Sequence, residues 1–282
     1  MNILVTGGAG AVGTNLIKEL LRLGHQVTSW DNYSVGIAEN HIAGANYLPI
    51  STVSSLDAMT EDIDLVYHLG EYSKVVPSFD EIRKAFSYNI LGSFNLIEAC
   101  SQYNIPIVYA GSSTKLANPG KLHSPYAFFK STVAEMIQGY ADWYNLKYNI
   151  CYFYNVYGPG TELWGGDWQS VINIFIDQKK RNVPLTITGD GTQQRDFTHV
   201  NDIVQGLVLA GEKISNSEFQ LGTGIEYSIL EVAEMFDQPY EFIPARKGDR
   251  PRGLADIRFT QEMLGYEPKH SLKQYIDDYK FV

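Results

Sequence analysis

The feature that most constrains the fold lies at the start of the chain. A short apolar run at residues 3–6 leads directly into a loop in which glycine recurs at every third position, as Gly7, Gly10 and Gly13. Residues 14–23 follow with the apolar spacing of an amphipathic helix. Glycines in such a turn let the backbone approach a pyrophosphate, whose charge is met by the helix N-terminus. The order strand, glycine loop, helix therefore predicts a dinucleotide-binding βαβ unit, the alternative being a glycine-rich turn without a ligand.

The second predicted strand ends in an acidic residue. Residues 26–30 have a strand pattern, and Asp31 follows them, 18 positions after Gly13. A carboxylate at this point can accept hydrogen bonds from the adenosine ribose hydroxyls and repels a 2′-phosphate. Asp31 therefore favours NAD over NADP, the alternative being a solvated loop aspartate.

The first half of the chain alternates short apolar runs with amphipathic segments, which is typical of a parallel α/β sheet. Further strands are predicted at residues 47–50, 65–69, 107–110 and 149–153, and long helices at 86–103 and 126–144. After Gly160 the turn signals become denser. We therefore predict a Rossmann-type doubly wound parallel sheet with a smaller C-terminal α/β substrate lobe. The NAD-binding domain would take residues 1–159 and about 196–225, and the lobe about 160–195 and 226–282.

Composition narrows the possible partners. The formal net charge is −10, which disfavours binding to nucleic acid and to anionic membranes. Only two cysteines are present, Cys100 and Cys151, which predicts neither a disulfide framework nor a metal site and favours a reducing, cytoplasmic location. The apolar start is too short for a signal peptide, and we expect no membrane span.

A candidate reactive group follows the strand at 107–110. Tyr126 and Lys130 are four residues apart, which places them on one face of a helix. An ammonium beside a tyrosine, together with a nicotinamide cation, favours loss of the phenolic proton and so prepares a general base. Ser112, Ser113 and Thr114 stand where ligands bind in parallel sheets, at the carboxyl end of a strand. The alternatives are core packing for the pair and a cap or turn for the hydroxyls.

Taken together, these motifs resemble the extended short-chain dehydrogenase/reductases, specifically the NAD-dependent nucleotide-sugar epimerase/dehydratase group that includes UDP-glucose 4-epimerase. The resemblance spans nearly the whole chain and rests on the following motifs: the glycine loop, Asp31-Asn32, His68-Leu69-Gly70, Asn89 with Gly92 and Asn95, Ser112-Ser113, Tyr126 with Lys130, the run from Asn155 to Pro159, and the run from Gly189 to Phe197.

The resemblance implies a role for each matching residue. Tyr126 would be the base, Lys130 would orient the nicotinamide ribose and tune Tyr126, and Ser113 would bond the sugar O4. NAD would contact Gly7, Gly10, Ala11, Val12, Gly13, Asp31, Asn32, Leu69, Gly70, Asn89, Tyr126 and Lys130. A UDP-sugar would contact Ser113, Asn155, Arg195, Arg246, Asp249 and Gly253. Within this set Asn155, Arg195 and Arg246 would hold the diphosphate, because arginine binds phosphate bidentately.

Two departures from the family pattern affect the substrate pocket. Tyr126 follows Ser113 by only 13 positions, where relatives have a longer loop, and Tyr152 stands where relatives have arginine. Gly253 stands where the family limits the room around the sugar C2 substituent. We therefore expect an open wall there and tolerance of 2-acetamido sugars, although Gly253 could equally serve a turn.

The family resemblance leaves several reactions open. Dehydratases carry an Asp-Glu pair where this chain has Thr114 and Lys115, and decarboxylases carry a glutamate nearby. These residues favour 4-epimerisation by oxidation at C4, rotation of the ketone and reduction on the other face. A 4-keto-sugar reductase or a dehydratase is the alternative enzyme, and a non-catalytic NAD-binding regulator is the alternative of another class.

The two long predicted helices carry apolar residues on more than one side, which indicates burial on two sides. Relatives pair these helices with their two-fold mates. We therefore expect a homodimer through a four-helix bundle.

Overall fold

The computed structural model describes residues 1–54, 59–116, 124–161, 170–245 and 250–281. Within these ranges the strands are β1 (Asn2–Thr6), β2 (Gln26–Trp30), β3 (Asn46–Leu48), β4 (Leu65–His68), β5 (Ile107–Ser112), β6 (Tyr148–Phe153), β7 (Val156–Tyr157), β8 (Leu185–Thr188), β9 (Gln194–Asp196), β10 (Thr198–His199), β11 (Ser217–Leu221), β12 (Glu226–Ser228) and β13 (Tyr240–Ile243). The α-helices are α1 (Ala11–Arg22), α2 (Ile82–Phe86), α3 (Gly92–Gln102), α4 (Pro125–Tyr144), α5 (Val171–Lys180), α6 (Val200–Glu212), α7 (Ile229–Met235), α8 (Arg258–Leu264) and α9 (Leu272–Asp278).

Seven strands form one parallel sheet in the order β11-β6-β5-β4-β1-β2-β3. The order reverses between β1 and β4, so the connections leave these strands in opposite directions along the sheet. In such sheets the loops at the carboxyl ends separate at this point and open a crevice for a ligand. The predicted Rossmann-type parallel sheet is confirmed, and β11 joins it beside β6.

The predicted helix at 86–103 is interrupted in the structure. It begins earlier, as α2, continues through a π-helical turn at Ser87–Leu91, and resumes as α3. A π turn accommodates one extra residue per turn, which apolar spacing alone does not reveal. This turn contains Asn89, whose position matters for the site.

Buried side chains from both faces of the sheet form two large clusters, one packed by α3 and α4 and the other by α1 and α6. A third cluster joins α5, α7 and α9 to β8. Most of its residues come from the segments that we predicted as the substrate lobe, but Tyr157 and Phe197 come from the ranges predicted as the NAD-binding domain. The same segments contain the two-stranded pairings of β8 with β13 and of β9 with β12. The exact domain bounds stay a prediction.

Among the described residues, no helix is both long enough and apolar enough to cross a membrane. In the same ranges, no cluster of three or more His, Cys, Asp or Glu side chains is arranged to hold a metal ion.

Candidate active site

A cavity of about 410 Å³ opens at the carboxyl ends of the central strands, where the strand order reverses. It brings together residues that are far apart in the sequence. Of the residues predicted to form the site, the following line it: Gly7, Gly10, Ala11, Val12, Gly13, Asp31, Asn32, Leu69, Gly70, Ser113, Tyr126, Lys130 and Asn155.

At two positions of the loop, Gly7 and Gly13, neighbouring backbone atoms lie too close to leave room for a Cβ atom. Gly7 has φ +72°, and a Cβ there would lie 2.8 Å from the backbone nitrogen of Gly70. A Cβ on Gly13 would lie 2.2 Å from the Gly7 carbonyl oxygen. Gly10 is the N-cap of α1 and supplies no side-chain cap, so the first N–H groups of the helix remain for a ligand. These residues fit the pyrophosphate of a dinucleotide.

Asp31 lines this cavity directly after the end of β2. Its side chain is buried, one carboxylate oxygen accepts a hydrogen bond from Ala9 N at 2.9 Å, and the other accepts one from Tyr33 N at 2.8 Å. The carboxylate therefore ties the glycine loop to the end of β2. It lines the cavity beside Asn32, as a ribose-binding residue would.

The start of α4 fixes the reactive side chains. Ser124 caps the helix by accepting a hydrogen bond from Ala127 N at 3.1 Å, and Tyr126 N donates to Ser78 Oγ at 3.2 Å. Tyr126 and Lys130 then face the cavity together with Ser113 from the end of β5, and all three are buried. The predicted trio thus shares one wall.

The sequence reasoning missed Glu71, which also lines the cavity. Its carboxylate forms a buried ion pair with the Lys130 ammonium, which also donates to Ala110 O at 2.5 Å. The same ammonium lies 4.6 Å from the centroid of the Tyr109 ring. The available signal was an acidic residue directly after His68-Leu69-Gly70, a motif already assigned to the cofactor.

Arg250 was also missed, and it changes the interpretation of Gly253. Arg250 lines the cavity and donates from Nη2 to Ser113 Oγ at 2.9 Å. A Cβ on Gly253 would lie 2.7 to 3.0 Å from the Arg250 guanidinium. The open wall that we expected at Gly253 is therefore filled by this guanidinium, and Gly253 is not among the described residues lining the cavity. The signal was the arginine that follows Asp249.

Two residues predicted to contact a ligand, Asn89 and Arg195, are not among the described residues that line the cavity. Asn89 was expected to contact NAD, but both polar atoms of its side chain bond the backbone of Tyr72, at 2.7 and 3.0 Å. It therefore braces a segment next to the cavity and does not line it. Arg195 is buried in β9, where its Nη1 donates to Gln194 O at 2.8 Å, and it is not among the described lining residues.

The remaining substrate predictions have different outcomes. Asn155 lines the cavity and donates from its amide to Asp196 O at 2.8 Å. Arg246 and Asp249 lie outside the described residues, as do residues 117–123 of the short segment between Ser113 and Tyr126.

Two further tyrosines near the site are unsuited to act as the base. Burial, reinforced by the neighbouring Glu71 carboxylate, raises the pKa of Tyr109, whose hydroxyl donates to Glu71 at 3.2 Å. Burial also raises the pKa of Tyr154, whose hydroxyl donates to Gln220 at 2.5 Å. Tyr126 remains the candidate base in this wall.

Comparison with known proteins agrees with the fold. The NAD dependent epimerase/dehydratase family matches residues 3–222 of the chain. The chain is 30% identical to UDP-glucose 4-epimerase of Mycolicibacterium smegmatis, over 98% of the chain and 96% of that protein. It is also 30% identical to UDP-glucuronic acid decarboxylase 2 of Arabidopsis thaliana, covering 97% of the chain but only 66% of that longer protein.

A solved structure of a UDP-glucose 4-epimerase has the same fold as this chain. The UDP-glucose 4-epimerase of Thermotoga maritima, determined with UDP-glucose, superposes with a TM-score of 0.91 at 30% identity, over 98% of this chain and 96% of that one. NAD is the cofactor of this family, and the glycine loop and Asp31 fit it. The chain belongs to the NAD-dependent epimerase/dehydratase family.

Proposed function

We propose that the protein is an NAD-dependent nucleotide-sugar 4-epimerase. The observation that carries this proposal is the single cavity in which the glycine loop and Asp31 meet Ser113, Tyr126 and Lys130. A nucleotide binding groove and an acid-base group thus share one space, as oxidation and reduction of a bound sugar require.

Each residue of the wall has a part in this chemistry. The glycine loop and Asp31 would hold NAD, which would supply a hydride acceptor and donor for the sugar C4. Ser113 binds the O4 hydroxyl, and Tyr126 removes its proton as the ketone forms. Rotation of the ketone presents its other face, and Tyr126 returns the proton to O4 during re-reduction. Lys130 lines the same cavity and supplies positive charge to it, which stabilises negative charge formed there during proton transfer.

The residues after β5 favour epimerisation over other reactions. Thr114 and Lys115 occupy the short helical turn directly after Ser113, where the related dehydratases carry an acid and a base. Lys115 forms an ion pair with Glu218 at 3.7 Å and so is directed toward β11. Neither side chain supplies the carboxylate pair that loss of water would need.

Decarboxylation of a uronic acid is the second candidate, because relatives named UDP-glucuronic acid decarboxylase match the chain. It begins with the same oxidation at C4, and Arg250 beside Ser113 could bind a sugar carboxylate. A 4-keto-sugar reductase is less favoured because Asp31 disfavours NADP.

One experiment separates these activities. The purified protein is incubated with NAD and separately with UDP-glucose, UDP-N-acetylglucosamine and UDP-glucuronic acid, and the products are separated by chromatography. We expect the 4-epimer of at least one neutral sugar, without release of carbon dioxide. A UDP-pentose from UDP-glucuronic acid would instead establish a decarboxylase, and tightly bound NAD without any turnover would revive the non-catalytic regulator.

We also propose that the active form is a homodimer through a four-helix bundle. Leu96, Ile97, Val133 and Ile137 are buried within the subunit, whereas other apolar side chains of α2, α3 and α4 and of the turns that flank them are exposed. The exposed set includes Ile82, Phe86, Leu91, Phe94, Tyr103, Phe128, Trp143 and Tyr144. So many exposed aromatic groups on adjoining helices favour a covering partner, and a second copy of α3 and α4 matches them.

The division into a NAD-binding domain and a substrate lobe at the bounds given above, and a cytoplasmic location, belong to the same proposal. Two buried, unpaired cysteine thiols in the described part of the chain fit a reducing compartment.

A further inference from the structure

A chain of buried polar side chains connects Lys130 with the glycine-rich loop. Ser93 Oγ donates to Glu71 Oε1 at 2.8 Å, and His68 Nε2 lies 2.9 Å from Ser93 Oγ. On its other side, His68 Nδ1 lies 2.7 Å from the hydroxyl of Thr6, the residue before Gly7. Only 1% of the Glu71 side chain and 6% of the Lys130 side chain are exposed. These groups therefore interact with little screening by water.

The hydrogen bonds along this row of polar side chains, from Thr6 to Glu71, have one consistent direction. Burial lowers the pKa of His68 to about 4, so its ring is neutral near pH 7 and carries one N–H. The Glu71 carboxylate only accepts, so the Ser93 hydroxyl donates to it and must accept from His68 Nε2. His68 Nδ1 is then the acceptor for Thr6, whose oxygen accepts the N–H groups of Leu69 and Gly70 at 3.2 and 3.0 Å.

We propose that Glu71 is a positioning residue for the reaction, holding the Lys130 ammonium at the end of β5 through a chain anchored on the glycine loop. This proposal deepens the proposed function and rests on it. An ammonium has three donors, and Lys130 uses two on Glu71 and Ala110 O. Held in this way, the ammonium keeps a third N–H for a ligand of the cavity, which Lys130 and Tyr126 both line.

The buried charge explains why a carboxylate is needed here. An ammonium removed from water is strongly disfavoured without a counter-charge and hydrogen bonds. Glu71 supplies the counter-charge. Hydrogen bonds that Ser93 and Tyr109 donate to Glu71 Oε1 fix the position of the carboxylate. Loss of the carboxylate would leave the lysine free to turn toward other acceptors, and an error of about 1 Å in a catalytic group can reduce turnover about 100-fold.

The test compares Glu71→Gln with Glu71→Asp and with a matched control. Glu81 also accepts from a tyrosine hydroxyl, at 2.7 Å from Tyr72, and from a lysine, Lys84, but it is not among the cavity-lining residues. In the NAD-loaded enzyme, we expect Glu71→Gln to lower kcat on the order of 10- to 100-fold while KM changes less than about threefold. Glu71→Asp, which keeps the charge, should recover part of kcat, and Glu81→Gln should match the wild type.

The pH profile supplies a readout that a purely structural role would not change. Removing the negative charge of the Glu71 carboxylate favours proton loss from the acidic groups around it. The acid limb of the kcat–pH profile should therefore move to lower pH by about one unit in Glu71→Gln. The other groups facing this space are His68 from β4, neutral near pH 7, Tyr109 from β5, which keeps its proton, and Arg250, always charged. Lys74 also lines the cavity, and burial lowers its pKa to about 8. Because Lys74 would titrate in the alkaline range, the variants are compared on the acid limb of the profile alone.

A labelling experiment separates this proposal from the proposed function. Acetic anhydride modifies only the neutral amine, and mass spectrometry measures its reaction at Lys130 without any substrate. At pH 8 we expect several-fold faster labelling of Lys130 in Glu71→Gln than in wild type or Glu81→Gln. This result would support the Glu71 proposal even if the wild type converted no sugar nucleotide.

Equal labelling, or a Glu71→Gln variant with unchanged kcat and acid limb, would overturn the proposal. If Glu71→Gln does not fold, Ser93→Ala replaces it, because it removes one hydrogen bond to Glu71 and keeps the charge. Ser93→Ala should lower kcat several-fold with KM unchanged, and wild-type kcat in this variant would equally overturn the proposal.

Discussion

Replacing Asp31 by alanine should weaken NAD binding and destabilise the glycine loop together. The carboxylate accepts hydrogen bonds from Ala9 N at 2.9 Å and from Tyr33 N at 2.8 Å, and only 7% of the residue is exposed. Alanine removes both acceptors and leaves two backbone N–H groups to be satisfied by water entering the cavity.

The size of the effect follows from these contacts. Hydrogen bonds to a charged group contribute about 1.5–3 kcal/mol each, and with entry of water we expect a combined loss of about 3 kcal/mol in the free energy of unfolding. For a chain of 282 residues that corresponds to a fall in Tm of about 5 °C. Loss of the charged hydrogen bonds to the ribose hydroxyls should raise the Kd of NAD on the order of 100-fold.

Calorimetric titration of NAD and NADP, with thermal unfolding of the same samples, measures both effects. Asp190→Ala is the matched control, because Asp190 likewise accepts from a backbone N–H two residues on, that of Thr192 at 3.0 Å, but lies in an exposed turn. Wild type should prefer NAD, and Asp31→Ala should lose much of that preference. The reasoning is refuted if the wild type binds NADP as tightly as NAD, or if Asp31→Ala weakens NAD no more than Asp190→Ala does.

Three further predictions concern the dimer, the sugar pocket and acid stability. Phe128→Glu places a charge on the exposed aromatic face and should convert a dimer into a monomer in sedimentation at micromolar concentration, whereas a monomeric wild type would contradict the four-helix bundle. Gly253→Tyr would displace the Arg250 guanidinium from Ser113, so kcat/KM should fall for UDP-glucose and UDP-N-acetylglucosamine alike, and loss confined to the acetamido sugar would favour the open wall expected from the sequence. Burial lowers the pKa of His68 and of His199 to about 4 from 6.5, so the stability that these neutral rings confer is complete above pH 6.5 and is lost as the pH falls toward 4; Tm measured across this window should fall, and a constant Tm would exclude this contribution.

The parts of the site that could be predicted from the sequence are those encoded locally. The glycine loop, Asp31 at a strand end, and Tyr126 with Lys130 on one helix face each depend on residues close together in the chain. The predicted strands are short apolar runs, and the sheet contains all of them. The confirmed Rossmann-type order follows from connecting such units in parallel.

The rest depends on contacts between distant residues. Glu71 meets Lys130 across 59 positions, and Arg250 meets Ser113 across 137, so neither pair has a local pattern. Asn89 carries a family motif but bonds Tyr72 because a π turn positions it, and helical periodicity does not detect that extra residue. Gly253 was interpreted as open space, although the absence of a side chain instead makes room for the guanidinium of Arg250.

The central claim is 4-epimerisation with Tyr126 as the base, and the fate of a label at C4 tests it most directly. Wild type and Tyr126→Phe are each incubated with NAD and with UDP-glucose carrying deuterium at C4, and the products are analysed by mass spectrometry and nuclear magnetic resonance. We predict UDP-galactose that retains the deuterium at C4, formed more slowly than from the unlabelled sugar. Tyr126→Phe should still bind NAD but turn over about 10² to 10⁴ times more slowly. Loss of the deuterium to solvent, no 4-epimer from the wild type, or near-normal turnover by Tyr126→Phe would contradict the account.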